Sequence, residues 1–96
     1  MNVVLDARCM DTKESAHAYL QEKLKFPEYY GKNLDALYEC MCELSNIELI
    51  ILHRREAQSY YLRVESVLRK AEEENKELNI QFAGYKEKSK RGRNKR

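Results

Sequence analysis

Apolar residues fall into short segments separated by polar runs, and their spacing switches between the periods of strands and helices. Val3, Val4 and Leu5 form an apolar run that predicts a strand. Ala16, Leu20 and Leu24 then recur at helical spacing, and Asp11 with Glu14 three residues later predicts a capping box at the start of that helix. A second helix follows Asn33, where at about 100° per residue Leu34, Leu37, Met41 and Leu44 gather on one side. The run Ile47-Glu48-Leu49-Ile50-Ile51-Leu52 is nearly all apolar, the pattern of a parallel strand covered on both faces, and predicts the centre of the sheet. Tyr60, Val64, Val67, Leu68 and Ala71 predict a helix from about Ser59 to Asn75, with a short helical turn before it around Glu56 to Gln58. Leu78, Ile80 and Phe82 alternate with polar residues as a final strand. Because parallel neighbours need crossover connections, this order predicts an α/β domain: a small three-stranded parallel sheet packed with about four helices.

Size and charge narrow the picture. The 96 residues suit one small domain that buries about 60% of its unfolded surface. Residues 85–96 carry seven Lys and Arg against Glu87 alone, a charge of +6, whereas the remaining eleven Lys and Arg face fifteen Asp and Glu, a charge of −4. The boundary therefore falls near Gly84, with a domain over 1–84 and a basic tail over 85–96. Residues 86–96 have no large apolar side chain to offset the entropy of ordering, which predicts disorder there. No stretch approaches the roughly 20 apolar residues that span a bilayer. The start, Met1-Asn2-Val3-Val4-Leu5-Asp6, lacks the basic and apolar regions of a secretory signal, so a cytoplasmic location is expected. Three cysteines, Cys9, Cys40 and Cys42, make a poor disulfide framework and are expected as reduced thiols.

The most informative segment runs from Phe26 to Cys40. Pro27 and Gly31 shape a loop carrying Tyr29 and Tyr30, and Asn33 is placed to cap the second helix. On that helix Asp35, Glu39 and Glu43 form a row away from the apolar side, with Tyr38 at the margin. Like charges one turn apart cost an isolated helix about 0.2–0.5 kcal/mol, and neither Asp35 nor Glu39 has a basic residue three or four positions away on the helix. Such a surface suits a cationic partner, although carboxylates on a solvated face are common.

The run Pro27-Glu28-Tyr29-Tyr30-Gly31-Lys32-Asn33-Leu34-Asp35-Ala36-Leu37-Tyr38-Glu39-Cys40 resembles the barstar family of ribonuclease inhibitors, and the spacing of apolar segments over residues 1 to about 84 fits that family. The resemblance implies a helix and preceding loop that plug the active site of an extracellular-type guanyl-specific ribonuclease or a related toxin. The carboxylate of Glu39 then stands where substrate phosphate would sit. It also implies Tyr29, Gly31, Asn33, Asp35, Tyr38 and Glu39 as partner contacts, with Glu73 as the acidic contact from the later helix. Two positions depart from the family pattern, which has aspartate at Glu39 and tryptophan at Tyr38. The longer Glu and the smaller Tyr ring fit a differently shaped pocket, while the free chain is expected to be a monomer.

Catalytic and cofactor readings find little support. His17 and His53 are the only histidines, and Glu14 with His17 at i,i+3 reads as an ordinary polar helix face. Cys40 and Cys42 diverge by about 200° on a helix, so they do not chelate. No phosphate loop, nucleophile elbow or dinucleotide fingerprint is present, and no metal or cofactor is expected. The alternative function is a nucleic-acid-associated module, in which the tail makes nonspecific phosphate contacts.

Overall fold

The computed structural model describes residues 1–57 and 59–83. β1 (Asn2–Asp6) leads through a 3₁₀ turn (Ala7–Met10) into α1 (Lys13–Leu24) and then α2 (Leu34–Cys42). β2 (Ile47–Leu52) is followed by a 3₁₀ turn (Arg54–Glu56), α3 (Tyr60–Glu74) and β3 (Leu78–Ala83). The three strands are parallel in the order β1-β2-β3, so β2 is central as its apolar run predicted. The fold is the expected α/β sheet, with three α-helices and two single-turn 3₁₀ segments among the described residues where about four helices were expected.

Register explains the core. Val3 lies opposite Leu49 and Leu49 opposite Ile80, while Leu5 and Phe82 flank Ile51. Val3, Leu5, Ile47, Leu49, Ile51 and Leu78 are buried on this side against Leu20, Leu37, Met41, Val64 and Leu68 from the helices. The alternate residues differ: Val4 is 45% exposed, Ile50 and Leu52 are half-buried, and Asn79 and Gln81 face solvent. Coverage of β2 on both faces is therefore corrected. Among the described residues the helices cover one side of the sheet, so β2 alternates in burial although its sequence barely does.

Local details shift other expectations. Thr12, not Asp11, caps α1: Thr12 Oγ1 accepts from the Ser15 amide at 3.1 Å, and Ser15 Oγ accepts from the Thr12 amide at 3.3 Å. A hydroxyl pair thus makes the reciprocal box one residue later, while the Asp11 carbonyl accepts from the Tyr60 amide at 3.2 Å. The turn expected at Glu56 to Gln58 forms at Arg54–Glu56, and Gln58 lies outside the described residues. Leu44 falls beyond the end of α2, where Asn75 Nδ2 donates to the Met41 and Leu44 carbonyls at 2.9 and 2.8 Å. That amide ties the end of α2 to the end of α3. The boundary at Gly84 and the tail 85–96 lie outside the described residues.

Candidate functional site

The exposed side of α2 and the loop before it are built from short-range choices. Pro27 O accepts from the Tyr30 amide at 3.0 Å, closing a turn, and also from Gln21 Nε2 at 2.8 Å, which ties that turn to α1. Asn33 Oδ1 accepts from the Ala36 amide at 2.7 Å, the predicted cap, and its Nδ2 donates to Gly31 O at 3.3 Å. A Cβ on Gly31 would stand 3.2 Å from Ala36 Cβ, so glycine lets the loop press against the first turn of α2.

This framework separates two adjacent tyrosines. Tyr30 is 5% exposed, its ring 4.8 Å from Phe26, whereas Tyr29 is 88% exposed. Tyr29, Glu39, Cys40, Glu43 and Leu44 border one shallow depression of about 410 Å³ with the end of α1. On the other flank Asn33, Leu34 and Asp35 meet Lys13, Tyr60 and Arg63 around a second depression of about 320 Å³. Tyr38 leans toward α3, where Lys70 Nζ lies 5.8 Å from its ring centroid. Its phenol is raised above the usual range by its hydrogen bond with Cys42, then by burial and by the Glu74 and Glu73 carboxylates.

Of the seven residues singled out from the sequence, Tyr29 and Glu39 border the first depression, Asn33 and Asp35 the second, and Gly31 lies against the first turn of α2, while Tyr38 leans toward α3, from which Glu73 acts on its phenol. Tyr29, Gly31 and Asn33 come from the loop and cap, Asp35, Tyr38 and Glu39 from α2, and exposed Glu73 from α3. Asp35 and Glu39 are exposed one turn apart and form no ion pair among the described residues. No cation among the described residues pairs with either carboxylate, so their negative potential is open to a partner, offset beside Asp35 by Lys13 and Arg63 across the second depression. Lys13, Tyr60 and Arg63 gave no local signal, since other helices bring them to Asp35. Leu44, expected to pack, is partly buried against the core and also borders the Tyr29 depression.

His17 corrects its reading as part of a polar helix face. The side chain is fully buried, with Nδ1 2.7 Å from the Tyr30 hydroxyl and Nε2 2.8 Å from the Tyr60 hydroxyl. Burial and then the nearby Lys13 charge lower its pKa, favouring a neutral ring that donates to one hydroxyl and accepts from the other. Cys9, Cys40 and Cys42 are free thiols. Burial, followed by Glu43 and Glu39, raises the Cys40 pKa and keeps that thiol protonated. Among the described residues no three His, Cys, Asp or Glu side chains converge as a metal site, and no helix is long and apolar enough to cross a membrane.

The family model for "Barstar (barnase inhibitor)" matches residues 1–86. A relative from Bacillus subtilis (strain 168), named "Putative ribonuclease inhibitor YrdF", is 34% identical over 83 residues, covering 83% of this chain and 91% of the relative. Together with the parallel sheet and the loop that presents Tyr29 beside α2, these matches show that the chain belongs to the barstar (barnase inhibitor) family.

Proposed function

We propose that the protein inhibits a basic, guanyl-specific ribonuclease of the barnase type, or a related toxin, by filling its active site with α2 and the Tyr29 loop. The observation that carries this reading is the pair Asp35 and Glu39, exposed and without ion pairs among the described residues, on a rigidly capped helix beside Tyr29 and Tyr38. A ribonuclease cleft concentrates cations where RNA phosphates bind, so a fixed row of carboxylates is complementary to it and accelerates encounter. Glu39 takes the place of a phosphate, Asp35 contacts a neighbouring cation, and Tyr29 and Tyr38 supply aromatic area at low entropic cost. Gly31 and Asn33 contribute backbone shape and the cap, and Glu73 extends the acidic edge from α3.

Occlusion makes the inhibitor and an active-site ligand mutually exclusive. Guanosine 3′-monophosphate at a concentration 100 times its own dissociation constant is expected to weaken inhibitor binding to the ribonuclease about 100-fold, by competition. Isothermal titration with and without the nucleotide checks this. Unchanged inhibitor affinity under saturating nucleotide would place the contact away from the active site.

A further inference from the structure

The buried imidazole of His17 joins three pieces of chain that carry the proposed inhibitory surface. His17 belongs to α1; Tyr30 follows Tyr29 in the loop; Tyr60 opens α3 and borders the depression beside Asn33 and Asp35. Both ring nitrogens are used, at 2.7 and 2.8 Å, and no other side-chain hydrogen bond is formed by the Tyr30 hydroxyl among the described residues. The ring centroids of Tyr30 and Tyr60 lie 5.7 and 5.5 Å from that of His17. A hydroxyl closed off from water at 5% exposure needs this partner, since an unmatched buried donor or acceptor is costly.

We propose that His17 is the positioning residue of this surface: by bridging the Tyr30 and Tyr60 hydroxyls it fixes the Tyr29 loop against the start of α3, and so sets the place of Tyr29 relative to Asp35. The alternatives for holding the loop are local. Gln21 grips Pro27 O at the loop's start and Asn33 grips Gly31 O at its end, but neither reaches α3. Among the hydrogen bonds of the described residues, only those of the imidazole link the middle of the loop to α3, His17 and Tyr60 lying 43 residues apart in sequence. Its consequence for inhibition rests on the function proposed above; its hold on the loop does not.

The test compares backbone ¹⁵N order parameters at Tyr29, Tyr30 and Gly31 in the full chain. His17→Phe keeps ring volume and deletes both bonds, Tyr30→Phe deletes one hydroxyl, and Leu78→Ala lowers stability from the buried core position that opens β3. The expected result is a fall from about 0.85 to below about 0.6 in His17→Phe, a smaller fall in Tyr30→Phe, and no change in Leu78→Ala. His17→Gln, which retains a donor and an acceptor, is expected to recover order relative to His17→Phe. Unchanged values in both His17→Phe and Tyr30→Phe would overturn the proposal, as would an equal loss in Leu78→Ala, which would mark general loosening. If His17→Phe does not fold, Tyr30→Phe decides alone. Inhibition of the ribonuclease by the same variants separates the two ideas. Loosening with at least a tenfold faster dissociation supports both. Loosening with unaltered dissociation leaves the positioning intact and removes the loop from the inhibitory contact.

Discussion

Replacing Asp35 and Glu39 together by Lys is expected to abolish ribonuclease inhibition while leaving the domain folded. Both side chains are exposed and make no ion pair among the described residues, so neither contributes packing that the substitution would remove. Loss of a charge contact desolvated in the centre of an interface costs about 2–5 kcal/mol, and reversal adds repulsion from the same cations. Two such losses correspond to at least about a thousandfold weaker binding. Asp35 also sits in the first turn of α2, where its charge favours the helix dipole, so Lys there costs the fold only about 0.3–1 kcal/mol. Inhibition assays with circular dichroism melts check both halves. Full inhibition by the folded double variant would show that another surface meets the partner.

The largest effect on stability is expected from Glu65→Ala. Glu65 lies on the inner side of α3, where Arg54 donates to both carboxylate oxygens at 2.8 Å. The Tyr61 hydroxyl donates at 2.7 Å and Arg69 Nε at 3.0 Å. The two guanidinium groups also lie 4.6 and 4.9 Å from the Phe82 ring centroid, which links the network to β3. Burial alone would raise the Glu65 carboxyl, but the bonds from Arg54, Tyr61 and Arg69 outweigh it and bring the pKa down to about 2. Removing the carboxylate leaves the fully buried Tyr61 hydroxyl without this acceptor and takes from Arg54 its bidentate partner, a loss of about 3–5 kcal/mol. For a domain whose total stability is about 5–15 kcal/mol, that brings unfolding close.

The same network sets an acid limit. The folded pKa lies below the ordinary value of 4.5, so the unfolded chain binds the proton first as pH falls. Stability from Glu65 is therefore complete above about pH 4.5 and disappears between there and about pH 2, amounting to a few kcal/mol. Urea unfolding across this range checks both points. A Glu65→Ala loss below about 1 kcal/mol, or an acid transition that persists unaltered in Glu65→Gln, would show that the network does not hold α3 as described.

What the sequence revealed was set by the range of the interactions. The strands and α2 follow from apolar periods, and the Asn33 cap from a side chain bonding three residues away, so each was legible from a short window. The row of Asp35 and Glu39, with Tyr38 at its margin, also follows from helix geometry alone. The hydroxyl box of Thr12 and Ser15 was overlooked because Asp11 and Glu14 offered an equally plausible pair one position earlier. His17 was misread for a different reason: among polar neighbours on α1 it looks solvent-facing, and its partners, Tyr30 and Tyr60, come from elsewhere in the chain. Glu65 and Asn75 were invisible for the same cause. The open side of β2 had one hint, Glu48 within an otherwise apolar run, but which face a helix covers depends on chain topology.

The most direct measurement is a titration of the full chain into a barnase-type guanyl-specific ribonuclease at near-physiological salt, following RNA cleavage. Active-site occlusion by α2 predicts that activity falls linearly and vanishes at one inhibitor per enzyme. Full cleavage in the presence of a large molar excess of folded protein would contradict that account.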